Sequence, residues 1–398
     1  MEQETKLIHK GRRSTKHFGT VNPPIYASST LVFPSLELYE KAEQGEIIYE
    51  PLFKASVTDT AYGIAGNQTT FALQEVIRDL EQGSLCLITP TGLSAITLVL
   101  QSFLKSGDHL LMVDTVYGPS RRFCNKVLKD FGVETTYYDP EIGGDIEKLL
   151  KPNTKLIFME SPGSLTFEIQ DIDAIVKVAK AKNIVTVIDN SWASPLYYSP
   201  LVNGIDISIH AITKYINGHS DLLLGSVTSN EKVSAALINT YKNLGMTTSP
   251  QECYQALRGI RTMNARLTYQ RQSLNRVLEF LPSVKCIKEI LAPSYEKFKG
   301  HALWKKQFKG ATPLFTIVLD KEYGMTELAR MINGYEYISI GASWGGFESL
   351  VRPVHLETVR SATAEKYKGK VLLRYYIGLE NIDDIISDLD KGFKRLIG

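Results

Sequence analysis

The sequence predicts an α/β protein built on a mostly parallel central sheet, with a smaller α/β domain at its C-terminal end. Three observations predict it. Apolar strand-like runs alternate with helix-period stretches from residue 68 to about 230, the 398-residue length exceeds what one core usually serves, and reactive side chains fall where predicted strands end. Alternation of this kind implies βαβ units, and ligands collect beyond the carboxyl ends of such strands.

Residues 1–61 carry many breakers (Pro23, Pro24, Pro34, Gly45, Pro51) and little periodicity, which predicts an extended arm. Its apolar and aromatic residues, among them Ile25, Tyr26, Leu31, Phe33 and Tyr49, predict that it packs on something, and a neighbouring subunit is the natural candidate. Helices are expected over 69–81, 94–104, 120–131 and 171–182, and strands over 85–88, 109–113, 155–159 and 184–188. The main domain is placed at 62–258. From 259 to 398 a helix over 266–280, a strand over 314–319 and an amphipathic helix over 383–396 predict the smaller domain. The chain has no internal repeat and no low-complexity tract.

Composition excludes several classes. With 43% hydrophobic and 22% charged residues the chain is not a disordered one. A net charge of +2, with basic residues only in pairs such as Arg12-Arg13 and Arg121-Arg122, offers no track for nucleic acid. Cys86, Cys124, Cys253 and Cys286 are too widely spaced for a zinc site or redox dithiol, so free thiols and no metal are expected. No apolar run reads as a signal peptide or a bilayer span, and a cytoplasmic location with no membrane partner is expected.

Four features sit at strand ends. Lys214 follows the strand-like run Ile205-Asp206-Ile207-Ser208-Ile209, where partial desolvation favours a neutral amine that can bond to an aldehyde cofactor. Alone, a lysine reaching to solvent from an edge strand is the commoner reading. The turn Thr89-Pro90-Thr91-Gly92-Leu93-Ser94 joins a buried strand to a helix start, which suits a phosphate, or else Thr91 or Ser94 simply caps the helix. Asp189 ends another apolar run, where a protonated ring nitrogen would compensate its charge; the alternative is a local cap with Asn190 and Ser191. Tyr117, before Gly118-Pro119, can stack on a flat ligand or fill a core. Pyridoxal phosphate uses all four together: aldehyde, phosphate, pyridine nitrogen and flat ring.

The chain is similar to the Cys/Met-metabolism group of pyridoxal-phosphate enzymes over nearly its whole length. The resemblance rests on Tyr62-Gly63 with Gly66, Glu160-Ser161-Pro162-Gly163-Ser164, Asp189-Asn190, Ala211-Ile212-Thr213-Lys214-Tyr215 with Gly218-His219-Ser220-Asp221, Ser343-Trp344-Gly345-Gly346-Phe347-Glu348-Ser349-Leu350, and Arg374 before Ile377-Gly378-Leu379-Glu380. The second segment and the Ser343 segment resemble the cystathionine β-lyase branch. The resemblance implies the aspartate aminotransferase fold (fold type I), a pyridoxal-phosphate domain at 62–258, and a homotetramer, a dimer of dimers with shared active sites.

It further implies that Lys214 bonds the cofactor aldehyde, Asp189 pairs with the pyridine nitrogen, and Tyr117 stacks on the ring. Gly92, Leu93 and Thr213 would hold the phosphate, joined by Tyr62 from a neighbouring subunit. Arg374 and Ser343 would grip the substrate α-carboxylate, and Trp344 would wall the pocket. The implied reaction is β-elimination of L-cystathionine to L-homocysteine, pyruvate and ammonia, in methionine biosynthesis and transsulfuration. Lys214 serves as base, and Tyr117 or a water is available as a second acid. An amino-acid (alanine) racemase and a γ-lyase or γ-synthase are the alternatives within the group. A scaffold with a decayed site is the non-enzymatic one; Ile64, where the group carries an arginine that meets the phosphate, speaks for it, and Lys214, Asp189 and Arg374 speak against it.

Overall fold

A computed structural model describes residues 1–49, 52–53 and 61–398. Residues 50–51, Pro51 among them, and 54–60 of the expected arm lie outside the described residues. Among the described residues twelve strands follow in chain order: β1 (Leu85–Thr89), β2 (His109–Val113), β3 (Glu134–Tyr138), β4 (Thr154–Glu160), β5 (Val185–Asp189), β6 (Ile207–Ala211), β7 (Gly225–Ser229), β8 (Ile287–Leu291), β9 (Leu314–Leu319), β10 (Ser339–Ile340), β11 (Leu350–Val354) and β12 (Leu372–Tyr376). The chain divides into two compact units. The first comprises Met1–Lys105, Val187–Asn217 and Asp221–Met263, and the second Ser106–Thr186, Gly218–Ser220 and Asn264–Gly398.

In the first unit β5 pairs with β6 in parallel, with Asp189 opposite Ile209, while β7 runs antiparallel to both β6 and β1. β7 is one of the strands that the apolar pattern does not announce, because Gly-Ser-Val-Thr-Ser has one large apolar residue, yet all five positions are buried. The helix Gln68–Glu81 starts where the Asn67 side chain accepts the N–H groups of Thr69 (3.0 Å) and Thr70 (3.3 Å). It is buried along most of its length. The first residues are not wholly extended: the helix Gln3–His9 buries Leu7, and Leu36–Glu43 is a second short helix capped by Ser35.

In the second unit β2 lies between β3 and β4, parallel to both. The expected helix at 120–131 begins earlier, at Gly118, because Pro119 has no N–H to lose at a first helical turn, and it passes into a π-helical stretch, Cys124–Leu128. A separate five-stranded sheet has the order β10-β11-β12-β9-β8, antiparallel except for β10 against β11. The final helix, Ile382–Ile397, buries Ile385, Leu389, Phe393 and Leu396, one face at helical spacing. Each such side chain contributes about 1.5–3 kcal/mol when fully buried. Asp388 on the same helix accepts the N–H groups of Glu336, Tyr337 and Ile338, fixing the lead into β10.

Candidate active site

In the first unit, predicted site residues gather at the ends of β1, β5 and β6. Thr91 follows β1 and forms a capping box with Ser94, which starts the helix Gly92–Phe103. The N–H groups of Gly92 and Leu93 fall in the first turn, where a helix has no internal acceptor for them, so they face outward with the positive end of the dipole. Gly92 lets this helix start press on β6: a Cβ there would stand 2.8 Å from the Cβ of Ala211. Ala211 is three residues before Lys214, whose N–H donates to the Ala211 carbonyl at 3.0 Å. An anion cradle and a half-buried lysine are thus tied to one strand end.

Asp189 is half-buried at the end of β5 and accepts the Ser191 N–H at 3.0 Å. Burial pushes its carboxyl above the ordinary range, against the downward pull of the Ser191 hydroxyl and N–H, His210 and Lys214. A carboxylate held this way gains from a further positive partner, which a protonated pyridine nitrogen provides. These donors, this carboxylate and this amine fit pyridoxal phosphate. Thr213 is placed with them but is engaged: its hydroxyl donates to the Leu224 carbonyl (3.2 Å) and accepts the Leu224 N–H (3.1 Å). To donate to a phosphate it must turn away from that carbonyl. Tyr62 is 49% exposed and pairs with Thr30 in an isolated bridge. Ile64 follows it in the turn Gly63–Ala65, with its side chain beside Gly245.

The second unit carries the remaining candidates. Tyr117 precedes the helix Gly118–Phe123, 45% exposed, and its backbone N–H donates to Glu160 Oε2 at 2.8 Å. Arg374, on β12 and 6% exposed, donates through Nη2 to the carbonyls of Ala342 (2.8 Å) and Ser343 (2.9 Å). Arg374 and Ser343 are therefore brought together. Trp344 follows, half-buried. The run beyond it is pinned at several points. Tyr376 Oη donates to the Gly346 carbonyl (2.7 Å), Leu379 N to that of Phe347 (2.7 Å), Ser220 Oγ to Glu348 (2.8 Å), and Ser349 N to Glu380 (2.7 Å).

Two supporting groups escaped sequence reasoning. Glu160 stands in a motif that signals kinship, and nothing local in it announces the bond to Tyr117. Asp114, fully buried just after β2, pairs with Arg121 and accepts the N–H groups of Ser361 (2.9 Å) and Thr363 (2.8 Å). An aspartate directly after an apolar strand was the available signal.

Residues 4–394 match the family described as Cys/Met metabolism PLP-dependent enzyme. The chain belongs to this family. It is accordingly a pyridoxal-phosphate enzyme with the fold type I α/β architecture and a mixed central sheet. Among its relatives is the L-alanine/L-glutamate racemase of Wolbachia pipientis wMel, 40% identical, covering 100% of this chain and 98% of the relative. The cystathionine β-lyase of Escherichia coli K12 is 38% identical, covering 99% and 98%. The crystal structure of cystathionine γ-synthase from Xanthomonas oryzae pv. oryzae in complex with cystathionine superposes with a TM-score of 0.88 at 30% identity, covering 100% of this chain and 99% of that one. Among the described residues no helix is long and apolar enough to cross a membrane.

Proposed function

We propose that this family member is a cystathionine β-lyase, which converts L-cystathionine and water to L-homocysteine, pyruvate and ammonia. The observation that carries this reading is full-length likeness to the Escherichia coli cystathionine β-lyase. Bound pyridoxal phosphate supplies an aldehyde for the substrate amine and an electron sink for the pair released at Cα.

Lys214 Nζ removes the Cα proton and then protonates the departing sulfur, so one group serves both transfers. Asp189 holds the proton on the pyridine nitrogen, without which the sink is weak. The N–H groups of Gly92 and Leu93 bind the phosphate, with the Thr213 hydroxyl and Tyr62 of a neighbouring subunit as further donors. Tyr117 stacks on the ring. Arg374 binds the α-carboxylate through its guanidinium, Ser343 supports that grip, and Trp344 walls the pocket. The assembly we infer is a cytoplasmic homotetramer.

Likeness to the L-alanine/L-glutamate racemase favours a second reading. Here the proton returns to the opposite face of Cα, with Tyr117 or a water as its donor. Purified holoenzyme given L-cystathionine separates the two readings: homocysteine plus pyruvate supports the lyase, whereas 2-oxobutyrate plus cysteine marks a γ-lyase. Formation of the D-enantiomer from L-alanine or L-glutamate, without pyruvate from cystathionine, marks the racemase.

A further inference from the structure

In the second unit a buried cation stands near the turn that carries Tyr117, and none of the steps above uses it. Arg360, 8% exposed, lies in the segment 355–371 that joins β11 to β12. A guanidinium stays charged in a protein, and a buried charge is costly unless its donors are met. Here four neutral oxygens meet them. Nη1 donates to the carbonyls of Asp114 (3.1 Å) and Val359 (3.2 Å), and Nη2 to the Ser164 carbonyl (2.6 Å) and Thr166 Oγ1 (3.2 Å). One planar fork therefore spans the chain after β2, the chain after β4 and its own segment.

Those two strand ends are fastened to each other as well. Ser164 N donates to the Thr115 carbonyl at 2.7 Å, and Gly163 lies so close to Thr115 that a Cβ would stand 2.4 Å from its Oγ1. The neighbours of Arg360 complete the enclosure. Ser361 N and Thr363 N donate to the Asp114 carboxylate (2.9 and 2.8 Å), Arg121 Nη1 donates to Ser361 Oγ (3.1 Å), and a Cβ on Gly118 would stand 3.4 Å from Val359 Cγ1. Residues 359–363 thus touch the chain at 114, 118 and 121, on both sides of Tyr117, whose own N–H is held by Glu160 at the end of β4. Tyr117 is 45% exposed, so the turn is fixed through its backbone while part of the side chain is left accessible.

We infer that Arg360 is a positioning residue for the cofactor: by tying residues 114 and 164 to the 359–363 segment it sets where the Tyr117 ring stands, a role that rests on that ring stacking on pyridoxal phosphate. Arg360 acts through Tyr117 and need touch neither substrate nor cofactor. A lysine is no substitute, because one ammonium offers no fork to carbonyls on two different loops.

The test is a double-mutant cycle on the holoenzyme, read by the dissociation constant of pyridoxal phosphate and by the visible circular dichroism of the bound cofactor, which reports how its ring is held. Arg360→Met keeps the apolar stem and removes the fork. It is expected to raise the dissociation constant by about tenfold and to weaken the visible band, with Arg360→Lys recovering only part of the loss. In a Tyr117→Ala background the same substitution is expected to change the constant by less than about twofold and the band little, because the ring that it positions is gone. The same loss in both backgrounds, or no loss in either, overturns the positioning role and leaves the stacking of Tyr117 standing where Tyr117→Ala by itself weakens binding. Unchanged binding and spectrum in Tyr117→Ala overturn both. If neither Arg360 variant folds, amide hydrogen exchange in the wild-type holoenzyme decides: residues 114–117 and 359–363 opening together at one rate support the role, and a Tyr117 turn that opens while 359–363 stays protected overturns it.

Discussion

The Glu160 carboxylate accepts the backbone N–H of Tyr117 at 2.8 Å, a bond across 43 residues that joins the end of β4 to the loop after β2. A charged acceptor on a helix-start N–H is worth about 1–2 kcal/mol, so it orders the Tyr117 backbone without touching the ring. Glu160→Ala is expected to lower kcat/KM and cofactor affinity by about tenfold, equivalent to about 1.4 kcal/mol, as read by steady-state assay and cofactor titration. Glu160→Gln keeps an acceptor oxygen and should recover part of the loss. If alanine leaves both quantities unchanged, Tyr117 does not depend on this bond.

Lys214→Ala should abolish turnover by about a thousandfold or more while leaving the circular dichroism spectrum intact. Borohydride should trap the cofactor on the peptide containing residue 214 in wild type and on no peptide of the variant. Wild-type rates in the variant would remove Lys214 from its assigned role.

Asp114 sets a pH dependence of stability. Burial pushes its carboxyl up, but the Thr363 hydroxyl, the N–H groups of Ser361 and Thr363, and Arg121 outweigh burial and bring it down to about 2. A folded-state value below the unfolded one stabilises the fold above the unfolded value of 3.8, and that stability is lost as pH falls from there towards 2. The full contribution is about 2 kcal/mol. Urea unfolding should show wild type losing stability between pH 5 and about 2, with Asp114→Asn less stable at neutral pH and flatter across the acid range. Parallel curves for the two proteins would show that Asp114 contributes no such linkage.

Arg374→Lys tests the double duty of the guanidinium. One ammonium cannot serve the carbonyls of Ala342 and Ser343 and also present two parallel donors to a carboxylate. KM for the amino-acid substrate should rise about tenfold or more while the bound-cofactor spectrum stays as in wild type. An unchanged KM would place carboxylate recognition elsewhere.

Much of this was legible in the chain. The ends of β2 and β9 are legible because each is a mostly apolar run, interrupted only by His109 in β2 and Thr316 in β9, with sharp borders. β7 was not, since its buried Ser, Thr and Gly side chains form no hydrophobic pattern, and β3 was not, since it begins with an exposed glutamate. Among the candidates, Asp189 stands out in the sequence because it ends a strand, Gly92 because it opens a helix, and Lys214 because it follows closely on a strand. The engagement of the Thr213 hydroxyl with Leu224 was hidden, as it depends on how the chain turns back after β6. The bond from Ser361 to Asp114 spans 247 residues, beyond any local signal.

Ile64→Arg asks whether the phosphate cradle lacks a fixed charge. The side chain is 38% exposed, so arginine can be accommodated, and the cofactor dissociation constant should fall by about fivefold to tenfold. An unchanged constant would mean that another group already neutralises the phosphate.

The close seating of Gly92 on Ala211 has a consequence for how this sequence can drift. Each position forbids growth at the other: a methyl group added at 92 would collide with the one at 211, whose only smaller replacement is glycine. A lineage that acquires a side chain at 92 must first shed the one at 211, so the two codons behave as a single inherited character, and variants that break the order should be recovered only with the compensating change.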